Sequence, residues 1–205
     1  MIGYLFTNPL LFVVIMVGLV IAVTIHEFAH AWIADRLGDP TPRVQGRVTL
    51  DPRAHLDPLG TLALLFFRFG WGKPVQFDPY NLKEPVRDAA IIALAGPVSN
   101  IILASAMSIL IHLQLLPSLL ELAFVQIIFI NIVLAIFNLI PVYPLDGSKI
   151  LMAVLPQETA YEYEQLMNRY GILFLIFLIL PWGGTSVASQ LISPVMNVFL
   201  AILLP

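Results

Sequence analysis

The chain contains apolar stretches too long for the core of a soluble domain of its size. Crossing the hydrocarbon layer of a bilayer takes about 20 apolar residues, and the first stretch runs from Pro9 to about Leu37. Others run from about Arg87 to Leu113, Leu119 to Ile140, Tyr161 to Leu180 and Val187 to Leu204, the fourth strongly apolar only from Gly171 onward. Pro117 separates the second from the third, and Pro181, Gly183 and Gly184 separate the fourth from the fifth. Of the 205 residues, 59% are hydrophobic and 11% charged, against about 25% charged in a soluble domain. That leaves too little polar surface to cover a globule in water, so lipid is the expected solvent. The fold class that follows is a mostly α, polytopic membrane protein with about five transmembrane helices.

Residues 38–86 differ in character, being rich in Pro, Gly, Asp and Arg. Arg43 to Leu50 alternates polar and apolar, which predicts a strand. Gly60 to Phe69 is apolar but short and ends at Gly70-Trp71-Gly72. The expectation is a small membrane-associated β region over about 42–80, with a re-entrant hairpin as a variant of it.

The ten basic residues are Arg36, Arg43, Arg47, Arg53, Arg68, Lys73, Lys83, Arg87, Lys149 and Arg169. With the N-terminus outside and five crossings, all fall on or beside the 38–86 and 141–170 regions, which then face the cytoplasm. No basic residues precede the first apolar run, which argues against a cleaved signal peptide. No repeat or low-complexity tract is present, and no nucleic-acid partner is expected.

Inside the first apolar run stands His26-Glu27-Phe28-Ala29-His30. On an α-helix, residues i and i+4 share a face one turn apart, so two imidazoles can grip one zinc ion at about 2.0–2.1 Å. Glu27, offset around the helix, can reach a water on the metal and accept its proton. Ionisable groups inside a membrane span are expensive and usually mark function. Three within five residues need a partner, and a cation is a natural one. The plainer alternative is a buried polar cluster satisfied by other helices.

The chain has no cysteine, so a further zinc ligand must be His, Asp or Glu. His112 lies near the outer end of the second span and reads as structural. His55 lies in the cytoplasmic loop and reads as solvated. Asp146 follows Asn138 to Leu145, a stretch broken by Pro141 and Pro144 at the cytoplasmic end of the third span. It shares a depth with His26 and His30. Position alone leaves it equally readable as the N-cap of a helix beginning near Gly147.

The chain resembles the site-2 protease family of intramembrane zinc metalloproteases. The likeness is carried by His26 to His30, by Leu94-Ala95-Gly96-Pro97-Val98-Ser99-Asn100, and by Asn138 through Pro144-Leu145-Asp146-Gly147, in that order. Asp51-Pro52 with His55-Leu56-Asp57-Pro58, and Gly72-Lys73-Pro74-Val75, add to it, so nearly the whole chain is covered. The resemblance implies Asp146 as third ligand, Glu27 as general base, and Asn138 and Asn100 as groups holding substrate or a developing oxyanion, a role amide donors can fill. Its alternative for both asparagines is helix–helix hydrogen bonding in lipid. The larger members' PDZ-like insertion, appended regulatory domains and a span ahead of the HExxH helix are not expected here.

The whole reads as one intramembrane metalloprotease domain over 1–205. It comprises the HExxH helix at 9–37, the strand-and-loop region at 38–86, two core helices at 87–140, and the Asp-bearing loop with C-terminal helices at 141–205. The cofactor is Zn2+, with no other cofactor site. The substrate that the resemblance implies is a transmembrane helix in lipid, cut within or next to its span; homo-oligomerisation is left open. That helix must unwind locally before its carbonyls can be attacked, and the Arg43–Leu50 segment is a candidate for pairing with the unwound stretch. Gly96, Pro97, Pro141 and Pro144 are candidates for loosening packing so that water enters. The expected location is a prokaryotic cell membrane, with the active site toward the cytoplasm. The rival readings are a metal-binding membrane transporter, disfavoured by the lack of paired repeats, and an inactive scaffold of the same fold, disfavoured by Glu27.

Overall fold

A computed structural model describes residues 3–67, 70–114 and 116–205; Arg68, one of the basic residues that bear on orientation, lies outside them, as does Phe69. The chain opens with α1 (Gly3–Thr7) and α2 (Pro9–Arg36). Asn8 caps α2 by accepting the Leu11 N–H at 3.1 Å, and Pro9 takes the first helical position, where a missing N–H costs nothing. After α3 (Thr41–Val44) and a 3-10 turn at Pro52–Ala54 comes α4 (Pro58–Phe67). A second 3-10 turn at Pro79–Asn81 leads into α5 (Pro85–His112), then α6 (Ser118–Asn138), α7 (Asp146–Val154) and α8 (Gln157–Ile179). A minimal hairpin, β1 (Pro181–Trp182) with β2 (Thr185–Ser186), turns at Gly183 and Gly184, both at positive φ, and delivers α9 (Val187–Leu203).

Helices α2, α5 and α6 are each long and apolar enough to cross a membrane. At about 1.5 Å per residue, the 28 residues of α2 and of α5 exceed the roughly 30 Å hydrocarbon layer. Helix α9 is apolar but has 17 residues, and the first half of α8 is polar, so neither reaches the same standard. Together with the large apolar side chains left exposed, among them Phe6, Leu10, Ile102, Leu122, Phe177 and Ile202, these spans make the chain an integral membrane protein.

Helix α5 is the centre of the assembly, packed on α2, α6 and α7, while α2 also meets α6. One apolar cluster joins α5, α6, α8 and α9 through Ala104, Ile128, Ile132, Leu178, Ile192 and Met196. Buried within the three spans are polar groups: His26, His30, Asn100, Ser108 and Asn131.

The 42–80 region departs from the expected β structure. Thr41–Val44 is helical, Gly46 turns at φ +68°, and among the described residues the only pairing there is one antiparallel bridge, Leu56 to Gly72. The cause is local. Asp39, fully buried, accepts hydrogen bonds from the N–H and hydroxyl of Thr41, which starts a helical turn, and Pro42 takes an early helical position. Val44, apolar in the alternating pattern, is 82% exposed. The Arg43–Leu50 segment therefore offers no strand for a substrate to pair with. His55 also departs from expectation: it is fully buried, its Nε2–H donating to the Thr49 carbonyl at 2.7 Å.

Candidate metal centre

Helical spacing sets His26 and His30 one turn apart on the buried face of α2, their rings nearly perpendicular with centroids 4.6 Å apart. The two Nε2 atoms lie 3.0 Å from each other. Asp146 arrives on α7, which packs on α5 as α2 does. After the Pro141–Pro144 bend, whose Tyr143–Pro144 peptide is cis, α7 begins at Asp146 itself; Leu145 holds the cap position and no side chain caps the helix. Gly147 lets that first turn press on the end of α6, since a Cβ there would collide with the carbonyls of Leu139 and Ile140. The result puts Asp146 Oδ2 at 3.2 Å from His26 Nε2 and 3.3 Å from His30 Nε2.

The protons on the rings follow from their partners. His30 Nδ1 lies 2.6 Å from the Ile92 carbonyl, which can only accept, so Nδ1 carries the hydrogen. His26 Nδ1 lies 2.7 Å from Asn100 Oδ1 and donates to it in the same way. With the rings neutral, both Nε2 atoms are then lone pairs, each within 3.3 Å of a carboxylate oxygen. Three acceptors this close repel one another unless a cation sits among them, and Asp146 Oδ2 is buried with no hydrogen-bond partner among the described residues. Two imidazoles held through Nδ1 and one carboxylate, their ligand atoms all within 4.8 Å, are a donor set that fits zinc and leaves a fourth position free. Gly96 of α5 closes the back of the site: a Cβ on it would press on His30 Nε2 and stand 2.6 Å from His26 Cε1.

Glu27 turns away from the ligand face toward segment 72–75. Its Oε2 accepts the Val75 N–H at 3.1 Å and lies 3.9 Å from the Arg47 guanidinium. Arg47, 3% exposed, also donates to the Lys73 carbonyl. Burial pushes its guanidinium below the usual range, and the Glu27 carboxylate pulls it back up. His26, Glu27 and Asn138 open together on a cleft of about 330 Å³ whose other walls include Leu64, Trp71 and Pro144. Asn138 donates to the Leu134 carbonyl at 2.9 Å and lines the same cleft.

Asn100 sits behind the site instead. It is fully buried, its Oδ1 meets His26, and its Nδ2 donates to the Ala22 carbonyl at 3.1 Å and to Asn131 Oδ1 at 2.7 Å. His112 contacts Ser108 near the end of α5 and takes no part. Sequence reasoning did not single out Asn131, Arg47 as Glu27's neighbour, or the carbonyl of Ile92. Only Asn131 left a signal, as a side-chain amide in the middle of a largely apolar span.

Comparison with known proteins gives the arrangement its context. The profile of peptidase family M50 matches residues 114–178. YwhC of Bacillus subtilis, named as a candidate zinc metalloprotease, is 35% identical over 192 residues, covering 89% of this chain and 85% of YwhC. The chain belongs to peptidase family M50. Rip2 of Mycobacterium tuberculosis, likewise named as a candidate zinc metalloprotease, is 32% identical over 182 residues, 82% of this chain and 67% of Rip2. Zinc metalloprotease MJ0392 of Methanocaldococcus jannaschii is 25% identical over 159 residues, 75% of this chain and 38% of that protein. No solved structure matches this chain significantly. As a member of family M50 the protein is a metalloprotease and its cofactor is zinc.

Proposed function

We propose that this M50 metalloprotease cleaves peptide bonds within or beside the transmembrane helices of membrane-protein substrates, with His26, His30 and Asp146 as zinc ligands and Glu27 as general base. The observation that carries the reading is the meeting of two Nε2 lone pairs and one unpartnered carboxylate oxygen at the depth of a membrane-spanning helix, beside a cleft that Glu27 shares. Zinc, when bound, polarises the scissile carbonyl and makes water acidic enough to lose a proton near neutrality.

The remaining work belongs to the chain. Glu27 has one carboxylate oxygen held by the Val75 N–H, which leaves Oε1 to take the proton of the attacking water and return it to the leaving nitrogen. Asn138, on the cleft wall, would donate an amide hydrogen to a developing oxyanion. Asn100 orients His26 rather than touching substrate, because both ends of its amide are engaged. Water and substrate would reach Glu27 through the cleft that Gly60, Leu64, Trp71 and Pro74 help to line.

The orientation places the N-terminus outside and the active site toward the cytoplasm of a prokaryotic cell, with α8 and α9 as the fourth and fifth crossings in one domain over 1–205. Its support is the gathering of Lys and Arg on the side of residues 38–86 and 141–170.

The test uses the purified protein in liposomes with a single-span substrate. Glu27→Gln keeps bound zinc and loses cleavage, while His26→Ala loses both. Cleavage that persists in Glu27→Gln rejects the mechanism.

A further inference from the structure

Two buried asparagines connect the metal centre to a helix that supplies none of its ligands. Asn131 of α6 donates from Nδ2 to the carbonyl of Ile127, one turn back, at 2.8 Å. A carbonyl only accepts, so this end of the amide is the nitrogen and the other end is the oxygen. That oxygen meets Asn100 at 2.7 Å, which requires the Asn100 atom there to be Nδ2. Asn100 Oδ1 is thereby turned to His26 Nδ1 at 2.7 Å. His26 must carry its proton on Nδ1, and its Nε2 is left as the lone pair facing Asp146 and His30.

We infer that Asn131 is a positioning residue that selects the metal-binding tautomer of His26 from outside the site, through Asn100. This rests on His26 being a zinc ligand. Asn100 is also anchored by the Ala22 carbonyl at 3.1 Å, so the two anchors act together. Turning the Asn100 amide over sets its oxygen against one fixed acceptor without Asn131 and against two with it. A flipped Asn100 presents N–H groups to His26, which then protonates on Nε2 and loses its lone pair for the metal. Both asparagines are fully buried, and in a membrane span no water corrects a wrong pairing. An ordinary interhelical hydrogen bond would need neither this polarity nor a connection to a ligand.

The experiment compares full-length Asn131→Leu, which removes the acceptor, with Asn131→Asp, whose neutral acid can donate to Ile127 and accept from Asn100. Zinc affinity is measured by competition with a chromophoric chelator, and the ring nitrogens of His26 are read by 15N NMR in metal-free protein in micelles. Asn131→Leu is expected to bind zinc about tenfold more weakly, the low end for loss of an outer partner of a metal-bound histidine. It should also show a population of His26 protonated on Nε2. Asn131→Asp should restore both to near wild type. If Asn131→Leu does not fold, Asn131→Ser is judged by the same criteria.

Unchanged affinity with an unchanged His26 tautomer in the folded variant overturns the inference, and so does an equal loss in Asn131→Leu and Asn131→Asp. His30→Ala separates this from failure of the ligand assignment. Wild-type affinity in His30→Ala sinks the metal site itself, whereas weak binding there beside normal binding in Asn131→Leu sinks only the role of Asn131.

Discussion

Gly96 faces the His26 imidazole at a distance that admits a hydrogen atom and nothing larger, with a built Cβ only 2.6 Å from Cε1. Helix α5 is thus a rigid backstop for the ring. Gly96→Ala is expected to displace the ring, weakening zinc binding at least tenfold and costing about 1–3 kcal/mol of stability, the usual penalty for overpacking. Chelator competition and thermal unfolding in detergent read the two effects separately.

Removing the metal has its own signature. A ligand that binds the folded chain alone stabilises it by about 2.7 kcal/mol at a hundredfold excess over its Kd. Zinc-loaded protein should unfold several degrees higher than chelator-treated protein. Asp146→Ala should abolish that difference, because the ion then loses its tie between α2 and α7.

Asp39 gives a pH dependence whose sign can be worked out. Burial by itself would raise its carboxyl, but hydrogen bonds from Thr41, Asn81 and the Asp78 N–H outweigh this and hold it below the ordinary carboxylate value. A depressed folded-state pKa contributes stability that is complete above the ordinary value, near 3.8, and is lost as pH falls through the lower, folded one. Wild type should therefore lose stability as pH falls below about 4, and Asp39→Asn less so. At neutral pH the variant should be weaker by about 1–3 kcal/mol, since an amide nitrogen would face the Asp78 N–H. Chemical denaturation across pH checks both statements.

Arg47 holds the Lys73 carbonyl and lies beside Glu27. Arg47→Met should leave zinc content unchanged, lower stability by about 1–3 kcal/mol through the unpaired carbonyl, and reduce kcat more than it raises KM. Arg47→Lys should recover part of the loss. Metal analysis beside steady-state cleavage makes the comparison.

The histidine pair was legible because i, i+4 spacing is a property of a single helix, and an apolar run of that length leaves no other reading of α2. Asp146 was legible only in part: position left it open as a cap, and the likeness to a protease family assigned it. The strand expected at Arg43–Leu50 was a misreading of period-two alternation, which Pro42, Gly46 and the buried Asp39 override through local hydrogen bonding. His55 looked solvated because its neighbours are polar; its burial comes from the chain folding back so that Lys73 donates to its carbonyl at 2.7 Å. Asn131 shows the limit best. One polar residue in an apolar span announces a partner, but which partner depends on the register of α5 against α6, a relation between segments that no single helix encodes.

The short first turn of α7, pressed on the end of α6, has a mechanical corollary. An ion gripped by His26 and His30 of α2 and Asp146 of α7, as proposed, would rivet the two helices together, so that α2 could not swing outward in the loaded protein without giving up a ligand. A peptide reaching Glu27 would then have to come by way of the cleft that α4 and the Gly70–Gly72 stretch help to wall, with the riveted helices left in place.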